Sequence, residues 1–285
     1  MNAMGTKPTI GVVGQGYVGK NYADNFEERG FRVVRYSLLP EHAENKIKIL
    51  ETDLVIIAVP TPTRSGAFDD THVRSALSEL REGQIVVIKS TIQKGTTVRL
   101  QQDHRHLTIM HVPEFLREAY AREDVDFPSR NIIGLGADTP AHHQAAKLVE
   151  EIFPKAKHTM KVPAVDAEFI KYTHNTMGVM MIVYANLLYD LAREHGVAWD
   201  SVKDAILHNP WFPEKYLDPI HKDGRGAGGS CFIKDFAALV ESYEKRLPED
   251  KEGIALLTAI VDKNNRLLRD TGKSLKILNE VYGEE

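Results

Sequence analysis

The chain has 285 residues, of which 42% are hydrophobic and 27% are charged, so it can bury a sizeable core and is long enough for two domains. Its formal net charge of −4, without a local concentration of lysine and arginine, argues against nucleic acid as a partner. The N-terminus enters an apolar run without the basic and apolar regions of a secretory signal, which favours a cytoplasmic location.

Short apolar runs alternate with helix-like segments through the first half of the chain. Such alternation predicts an α/β fold with a Rossmann-type parallel sheet that helices cover on both faces. The first βαβ unit has strands at residues 9–13 and 32–36 and a helix at 17–28, which Gly30 ends. The other predicted strands lie at 54–59, 84–88, 107–112 and 131–135.

After residue 162 the pattern changes to long helices with few turn residues. Pro163 and Asp166 suit the first turn of a helix that we predict from residue 164 to about 195. The apolar part of this helix, 178–188, is shorter than the roughly 20 residues that span a bilayer, so we expect no membrane partner. Then come a helix at 200–207, a loop at 209–230 and helices over most of 232–282. We predict a dinucleotide-binding domain over 1–162 and an all-helical domain over 163–285.

Glycines at positions 14, 16 and 19 give the spacing GxGxxG between the first strand and the first helix. In that context glycines let the backbone approach a pyrophosphate, which favours dinucleotide binding over a turn that serves packing alone. Ser37 ends the second strand, where NAD-specific sites usually carry an acidic residue, and it can still hydrogen-bond a ribose. Arg35 could attract a 2′-phosphate, although a solvated edge charge is the favoured interpretation. We predict NAD as the cofactor, with NADP as the alternative.

Cys231, the only cysteine, follows a glycine-rich run at the predicted start of a helix. One cysteine makes no internal disulfide, and a position that a substrate can approach favours a reactive thiol over an inert core residue. A helix N-terminus contributes ~0.3–1 kcal/mol, which lowers a thiol pKa by less than about one unit. Activation therefore needs an ammonium as well, from Lys234 or from the long helix.

Three polar residues, Glu168, Lys171 and Asn175, share one face of the predicted long helix. A solvent-facing polar stripe is the alternative. Apolar neighbours such as Phe169 and Met177 instead predict burial on several sides. Polar groups in such a helix are satisfied by one another or by a ligand.

Six motifs follow one another along the chain: GVVGQGYVG (11–19), VPTP (59–62), STIQKGT (90–96), PEFLREAYAREDVDFPSRNIIG (113–134), AEFIKYTHN (167–175) and GGSCFIKD (228–235). Together they resemble the UDP-glucose/GDP-mannose dehydrogenase family, the nucleotide-sugar 6-dehydrogenases. The resemblance covers nearly the whole chain but about two-thirds of a family member. It implies that a primary alcohol at sugar C6 is oxidised twice, through an aldehyde and a cysteine thioester, to a carboxylate while two NAD are reduced.

The resemblance also implies a role for each matching catalytic residue. Cys231 would attack the aldehyde to form a thiohemiacetal, whose oxidation yields the thioester. Lys171 would stabilise the developing oxyanion, with Asn175 as a second donor. The remaining catalytic residues would position water, transfer protons or assist hydrolysis: Thr91, Glu114 and Asp235.

The residues that the resemblance assigns to the cofactor come from several motifs. Without the resemblance, Thr91 would be interpreted as a strand-end cap and Glu114 as a surface residue at a helix start. Lys234 would contact substrate or cofactor. The cofactor-binding set is Gly14, Gly16, Tyr17, Val18, Ser37, Pro60, Thr61, Thr91 and Lys234.

The sequence departs from the family pattern mainly in the parts that recognise the nucleotide. The family's C-terminal nucleotide-binding domain is expected to be absent, because the chain ends after the helix that resembles the central dimerisation helix. Residues 209–213 replace a segment whose arginine contacts substrate across the dimer, the loop at 218–224 is longer, and Ala227 replaces an aromatic residue. The reaction class is therefore better supported than the choice between a nucleotide sugar and another primary alcohol.

Two other functions stay open. A two-electron hydroxyacid-type dehydrogenase could share both domains and a lysine four residues before an asparagine, but it leaves Cys231 without a task. A catalytically degenerate nucleotide-binding subunit would bind the cofactor without turnover.

Two further interpretations concern metals and assembly. The histidines at 103–106 and 142–143 lack a third ligand at metal spacing, so we expect solvated surface and no metal site. The long apolar helix that begins at Ala164 is predicted to form a homodimer surface, with core packing inside the monomer as the alternative.

Overall fold

The computed structural model describes residues 7–64, 67–209, 216–222 and 224–283. Contacts divide the chain into two compact units. Unit 1 comprises Met1–Pro62 and Asp69–Lys171, and unit 2 comprises Thr63–Phe68 and Tyr172–Glu285. This division falls inside the long helix, whereas the predicted boundary at residue 162 precedes it; that boundary stays a prediction.

The strands form one large sheet and two short pairs. In the large sheet the runs IGVV, LVII and IVVI consist mostly of β-branched residues, which suit strands that are buried on both faces. In chain order the strands are β1 (Ile10–Val13), β2 (Val33–Tyr36), β3 (Leu54–Ile57), β4 (Thr63–Arg64), β5 (Ala67–Phe68), β6 (Ile85–Ile88), β7 (Thr108–His111), β8 (Arg130–Leu135), β9 (His158–Pro163), β10 (Ile220–His221) and β11 (Gly224–Arg225).

The seven-stranded sheet of unit 1 has the order β2-β1-β3-β6-β7-β8-β9. Pairing is parallel from β2 through β7, so the predicted Rossmann-type α/β fold is confirmed. The prediction that every strand of this sheet is parallel is wrong for one pair, because β8 is antiparallel to β7. The prediction also omitted β9, whose residues are mostly exposed at the sheet edge and form no apolar run.

The helices of unit 1 cover this sheet, and the predicted first helix is confirmed at its bounds. Phe26 on that helix packs with Phe153 and with the inner residues of the strands in one apolar core. In chain order the helices are α1 (Tyr17–Glu28), α2 (Pro40–Ala43), α3 (Lys46–Ile49), α4 (Thr71–Ser78), α5 (Thr96–Asp103), α6 (Ala121–Asp126), α7 (Pro140–Ile152), α8 (Ala164–Glu194), α9 (Trp199–Leu207), α10 (Gly229–Arg246), α11 (Lys251–Asp270) and α12 (Leu275–Tyr282); a 3₁₀ turn occupies Glu118–Tyr120.

Unit 2 is helical, as predicted, apart from its short strand pairs β4/β5 and β10/β11. Helix α10 packs against both α11 and α12. One apolar cluster joins α10 to α11 and α12, and another joins it to α8 and α11. Helix α10 is therefore the central helix of this unit.

Helix α8 is less enclosed than the sequence suggested. Its polar face is buried, as predicted, whereas Phe169, Met177 and Met180 are exposed on another side. Within the described ranges, no helix is both long and apolar enough to cross a membrane.

Candidate active site

The residues predicted to bind a dinucleotide follow the ends of successive parallel strands. Because β1 lies between β2 and β3, the strand order reverses there, and such switch points open a crevice at the carboxyl edge of a sheet. The predicted cofactor residues at this edge are Gly14, Gly16, Tyr17 and Val18 after β1, Ser37 after β2, Pro60 and Thr61 after β3, and Thr91 after β6. The predicted catalytic residue Glu114 follows β7, whereas the predicted cofactor residue Lys234 lies on α10.

The glycine turn has the tight bend and the close helix–strand packing of a dinucleotide-binding fingerprint. Gly14 has φ +95°, and a Cβ there would lie 2.3 Å from the carbonyl oxygen of Ala58. A Cβ at Gly19 would lie 1.9 Å from the carbonyl oxygen of Gly14. Gly16 is the N-cap of α1 and supplies no side-chain cap, so the first-turn N–H groups can receive an anion. These residues fit a dinucleotide.

Arg35 is engaged by carboxylates of its own unit. Its Nη2 lies 2.6 Å from Asp24 Oδ1 and 2.6 Å from Glu27 Oε2. The guanidinium is therefore ion-paired rather than simply solvated. The Ser37 hydroxyl accepts a hydrogen bond from the backbone N–H of Leu39 at 3.2 Å. Asp24 and Glu27 already compensate the charge of Arg35, so this side chain would attract the 2′-phosphate of NADP only weakly. This agrees with NAD as the cofactor.

Two loops at the same sheet edge are tied together by hydroxyl groups. Thr61 Oγ1 donates to the backbone oxygen of Thr91 at 2.7 Å, and Ser90 Oγ donates to that of Val59 at 2.7 Å. Thr61 and Thr91 are both buried. These bonds fix the segments after β3 and β6 relative to each other.

Glu114 and Lys171 form a buried ion pair. Lys171 Nζ donates to Glu114 Oε1 at 3.0 Å and to the Glu114 backbone oxygen at 2.7 Å, and Glu114 Oε2 accepts from Leu116 N at 2.7 Å. Burial by itself would raise the pKa of Glu114, but the Lys171 ammonium and the backbone N–H hold it below its usual value. The surface interpretation of Glu114 is therefore wrong, because its carboxylate lies inside unit 1.

Two further buried groups near this pair were not singled out from the sequence. Burial lowers the pKa of Lys89 to about 7, with Glu114 opposing and Lys171 reinforcing the change, and its Nζ lies 4.3 Å from the ring centre of Tyr22. Burial lowers the pKa of His111 to about 3, so its ring is neutral. The sequence did hold a signal for both residues, because Lys89 directly follows a buried apolar strand and His111 is the last residue of the next one.

Glu168 has a different partner from the one that its helix face suggested. Its carboxylate accepts hydrogen bonds from the backbone N–H of Gly95 and from the N–H and hydroxyl of Thr97, at the N-terminus of α5. Burial raises the pKa of Glu168, and these bonds only partly oppose the shift. The side chain thus anchors α8 to α5, one turn before Lys171.

In unit 2 the predicted residues cluster around Asp235. Asn175 Nδ2 donates to Asp235 Oδ2 at 2.6 Å, and Lys234 Nζ lies 2.8 Å from Asp235 Oδ1. Cys231 lies in the first turn of α10 with a partly buried side chain. Because Cys231 and Asp235 are four positions apart on one helix, their side chains share a face.

Two models of one family match most of this chain. The NAD binding domain of the UDP-glucose/GDP-mannose dehydrogenase family matches residues 38–157, and its central domain matches residues 165–266. The chain belongs to this family. The matches confirm the predicted family, its oxidoreductase class and NAD as the cofactor.

Individual relatives agree with the family assignment. The UDP-glucose 6-dehydrogenase AglM of Haloferax volcanii is 28% identical over 90% of this chain and 69% of its own length. A UDP-glucose 6-dehydrogenase of Rhizobium meliloti is 29% identical over 81% of this chain. This match spans 54% of the length of that relative, about half. The solved UDP-glucose dehydrogenase of Pyrobaculum islandicum aligns with a TM-score of 0.79 at 26% identity. The alignment covers 94% of this chain and 70% of the chain of that structure.

Some family-based expectations concern other parts of the chain. Residues 210–213 and 223 lie outside the described residues, so the expected changes in those two segments stay predictions.

His142 is buried and bonds to Thr139 and to Gln101, which corrects the expectation that it is solvated. Among the described residues, no three His, Cys, Asp or Glu side chains form a group that could hold a metal. The individual catalytic roles and the cytoplasmic location also stay predictions.

Proposed function

We propose that this protein oxidises the primary alcohol of a nucleotide sugar to a carboxylate, with NAD as oxidant and Cys231 as the covalent nucleophile. The observation that carries the proposal is the pair of buried contacts along α8. Lys171 binds the carboxylate of Glu114, and Asn175, one helical turn later, binds that of Asp235. Asp235 in turn shares a helix face with the only cysteine.

The cofactor would be held by the edge of the sheet in unit 1. The open space beside Gly16 would take the pyrophosphate, and the N-terminus of α1 would stabilise its charge. Ser37 would hydrogen-bond the ribose, with the loops that carry Thr61 and Thr91 beside the rest of the molecule. When bound, NAD supplies the electron acceptor for each of two successive two-electron oxidations.

Cys231 would act between these two oxidations. Its thiolate adds to the aldehyde carbon, so a C–S bond forms and the carbonyl electron pair moves to oxygen. After the second oxidation, water adds to the thioester carbon, the C–S bond breaks and the thiolate returns. The sum converts one alcohol and one water into a carboxylate, while two NAD are reduced to NADH and three protons are released.

Lys171 and Asn175 would donate hydrogen bonds to the oxygen on which negative charge develops in both addition steps. Glu114 and Asp235 hold these two donors in fixed orientations. As carboxylates they can also accept a proton from the attacking water.

The stoichiometry of the reaction tests this proposal. We expect two NADH and one uronate for each nucleotide sugar consumed, measured by absorbance and mass spectrometry on a panel that includes UDP-glucose and GDP-mannose. One NADH per substrate, without a carboxylate, would instead support the two-electron dehydrogenase. Cofactor binding without NADH on any substrate of the panel would support the degenerate subunit.

We further propose that two copies associate through α8. Exposed apolar side chains recur along this helix at alternating spacings of three and four residues, which places them on one stripe. Burying such a stripe against its copy removes apolar surface from water. The stripe consists of Met177, Met180, Tyr184, Leu187 and Leu191.

A charge in the middle of this stripe should separate the copies. We expect Leu187→Asp to give a monomer by light scattering at concentrations at which the unmodified chain is a dimer, because a carboxylate would be buried without a partner. Leu247→Asp is the matched control, since Leu247 is similarly exposed but lies at the end of α10. A dimer that survives Leu187→Asp would rule out this surface.

A further inference from the structure

The glycine-rich loop that leads into α10 is held by side chains from α11 and from the turn that follows it. Several of its backbone groups have a partner there. Lys273 Nζ donates to Gly226 O at 2.8 Å, Gly229 N donates to Ser274 Oγ at 3.0 Å, and Arg225 N donates to Thr271 Oγ1 at 3.1 Å.

Asn264 makes the most complete of these contacts. Its Oδ1 accepts from the backbone N–H of Ala227 at 2.7 Å, and its Nδ2 donates to the carbonyl oxygen of the same residue at 3.1 Å. The amide is buried, so few water molecules compete for either bond. One side chain thus fixes both backbone polar groups of a residue four positions before Cys231.

The loop also passes close to this amide. Gly226 has φ +83°, and a Cβ there would lie 3.1 Å from Asn264 Oδ1. A glycine at this position therefore permits both the turn and the short approach. Asn264 therefore contacts two successive residues of the loop, because Gly226 packs against the side chain that bonds to Ala227.

Apolar packing fixes the helix on the other side of the cysteine. Ile233 and Ala237 on α10 pack with Leu268 on α11 and with Leu278 on α12. Helix α10 is therefore anchored just after Cys231, whereas the polar contacts above hold the segment just before it. Loosening the loop would mainly affect the first helical turn, which carries the thiol.

We propose that Asn264 is a positioning residue for Cys231 and acts through its two hydrogen bonds to the backbone of Ala227. This inference rests on the proposed function, in which the thiolate must meet an aldehyde carbon. A displacement of about 1 Å from such a near-attack geometry can reduce a rate roughly 100-fold. The loop contacts are thus a requirement of the chemistry as well as of the fold.

The single cysteine allows a direct test that needs no turnover. Iodoacetamide alkylation, followed by intact mass, reports on Cys231 alone because the chain has no other cysteine. Local opening exposes a partly buried thiol, and each of the two hydrogen bonds of Asn264 opposes that opening. We expect Asn264→Ala to be alkylated roughly tenfold faster, while kcat falls about tenfold and KM for NAD stays within about twofold.

Asn265→Ala is the matched control. Asn265 is the next residue of α11 and is also buried, but its Oδ1 has no hydrogen-bond partner among the described residues. We expect its alkylation rate and kcat to stay within about twofold of the unmodified chain. Asn264→Asp keeps an acceptor for the N–H of Ala227 and loses the donor, so its alkylation rate should be intermediate.

Opposite changes in alkylation and kcat identify a positioning role if Asn264→Ala keeps the far-UV circular dichroism of the unmodified chain, since partial unfolding of the helical unit 2 would reduce that signal. Equal alkylation rates for Asn264→Ala and Asn265→Ala would overturn the proposal. If Asn264→Ala does not fold, Asn264→Asp decides by the same comparison. If the unmodified chain produces no carboxylate, the proposed function fails while the alkylation rates still decide the role of Asn264.

Discussion

The rate of carboxylate formation should fall by about 1000-fold or more in the variant Cys231→Ala. Removing the nucleophile of a covalent mechanism eliminates the intermediate itself, and residual rates then come only from binding and orientation. The thiol is in the first turn of α10, where Ala preserves the helix. The measurement is uronate produced per enzyme from the nucleotide sugar that the unmodified chain oxidises.

NAD affinity provides the control for this variant. Cys231 is not among the residues that would hold NAD, so the dissociation constant should change by less than about twofold. The alkylated natural chain serves as a second control, because it blocks the same sulfur without a mutation. An undiminished uronate yield from either protein would refute the thioester route.

The buried strands from β1 to β7 and the helix α1 were predictable because their causes are local. Each buried strand from β1 to β7 in the large sheet is a short apolar run, and α1 begins after a glycine turn and ends before Gly30. The direction of β8 has no such local cause. The segment between β7 and β8 is long enough to cross over or to return, and only the packing of the whole unit selects the return.

The candidate site was predictable in its residue types but less so in its contacts. The motifs identified Glu114, Lys171, Asn175 and Asp235, and the structure joins them in two buried pairs. The burial of Glu114 could not be derived from its sequence neighbours, which include charged residues. It depends on an ammonium that is 57 positions away in the chain.

Residues that act through distant backbone were missed for the same reason. Nothing near Asn264 in the sequence distinguishes it from Asn265, yet Asn264 bonds to Ala227 in the loop before Cys231, whereas Asn265 Oδ1 has no partner in the described part of the chain. Glu168 was recognised as polar on a helix face, but its partner is the N-terminus of α5 rather than a neighbour on α8. Such contacts are set by tertiary packing, which local sequence patterns do not encode.

Lys171→Met should destabilise unit 1 by about 3–5 kcal/mol near pH 7, because it leaves the buried carboxylate of Glu114 without its ammonium. In the natural chain Lys171 helps to hold the pKa of Glu114 below its unfolded value. A depressed folded pKa stabilises the fold above the unfolded value of about 4.3, and this contribution is lost as the pH falls through the folded pKa. The stability difference between the natural chain and Lys171→Met should therefore be full at neutral pH and shrink below about pH 4.

Urea unfolding of the natural chain and the variant from pH 7 to pH 3 measures this difference, with fluorescence as the signal. The matched control is the double variant Lys171→Met with Glu114→Gln, which removes the carboxylate charge as well and should recover most of the lost stability. It should not recover activity, because the donor for the developing oxyanion is still missing, at a cost of roughly 100-fold to 1000-fold in kcat, and the Glu114 carboxylate is missing as well. Equal stability of the natural chain and Lys171→Met at pH 7 would show that the pair does not stabilise the fold, whereas full activity of the double variant would remove Lys171 from the chemistry.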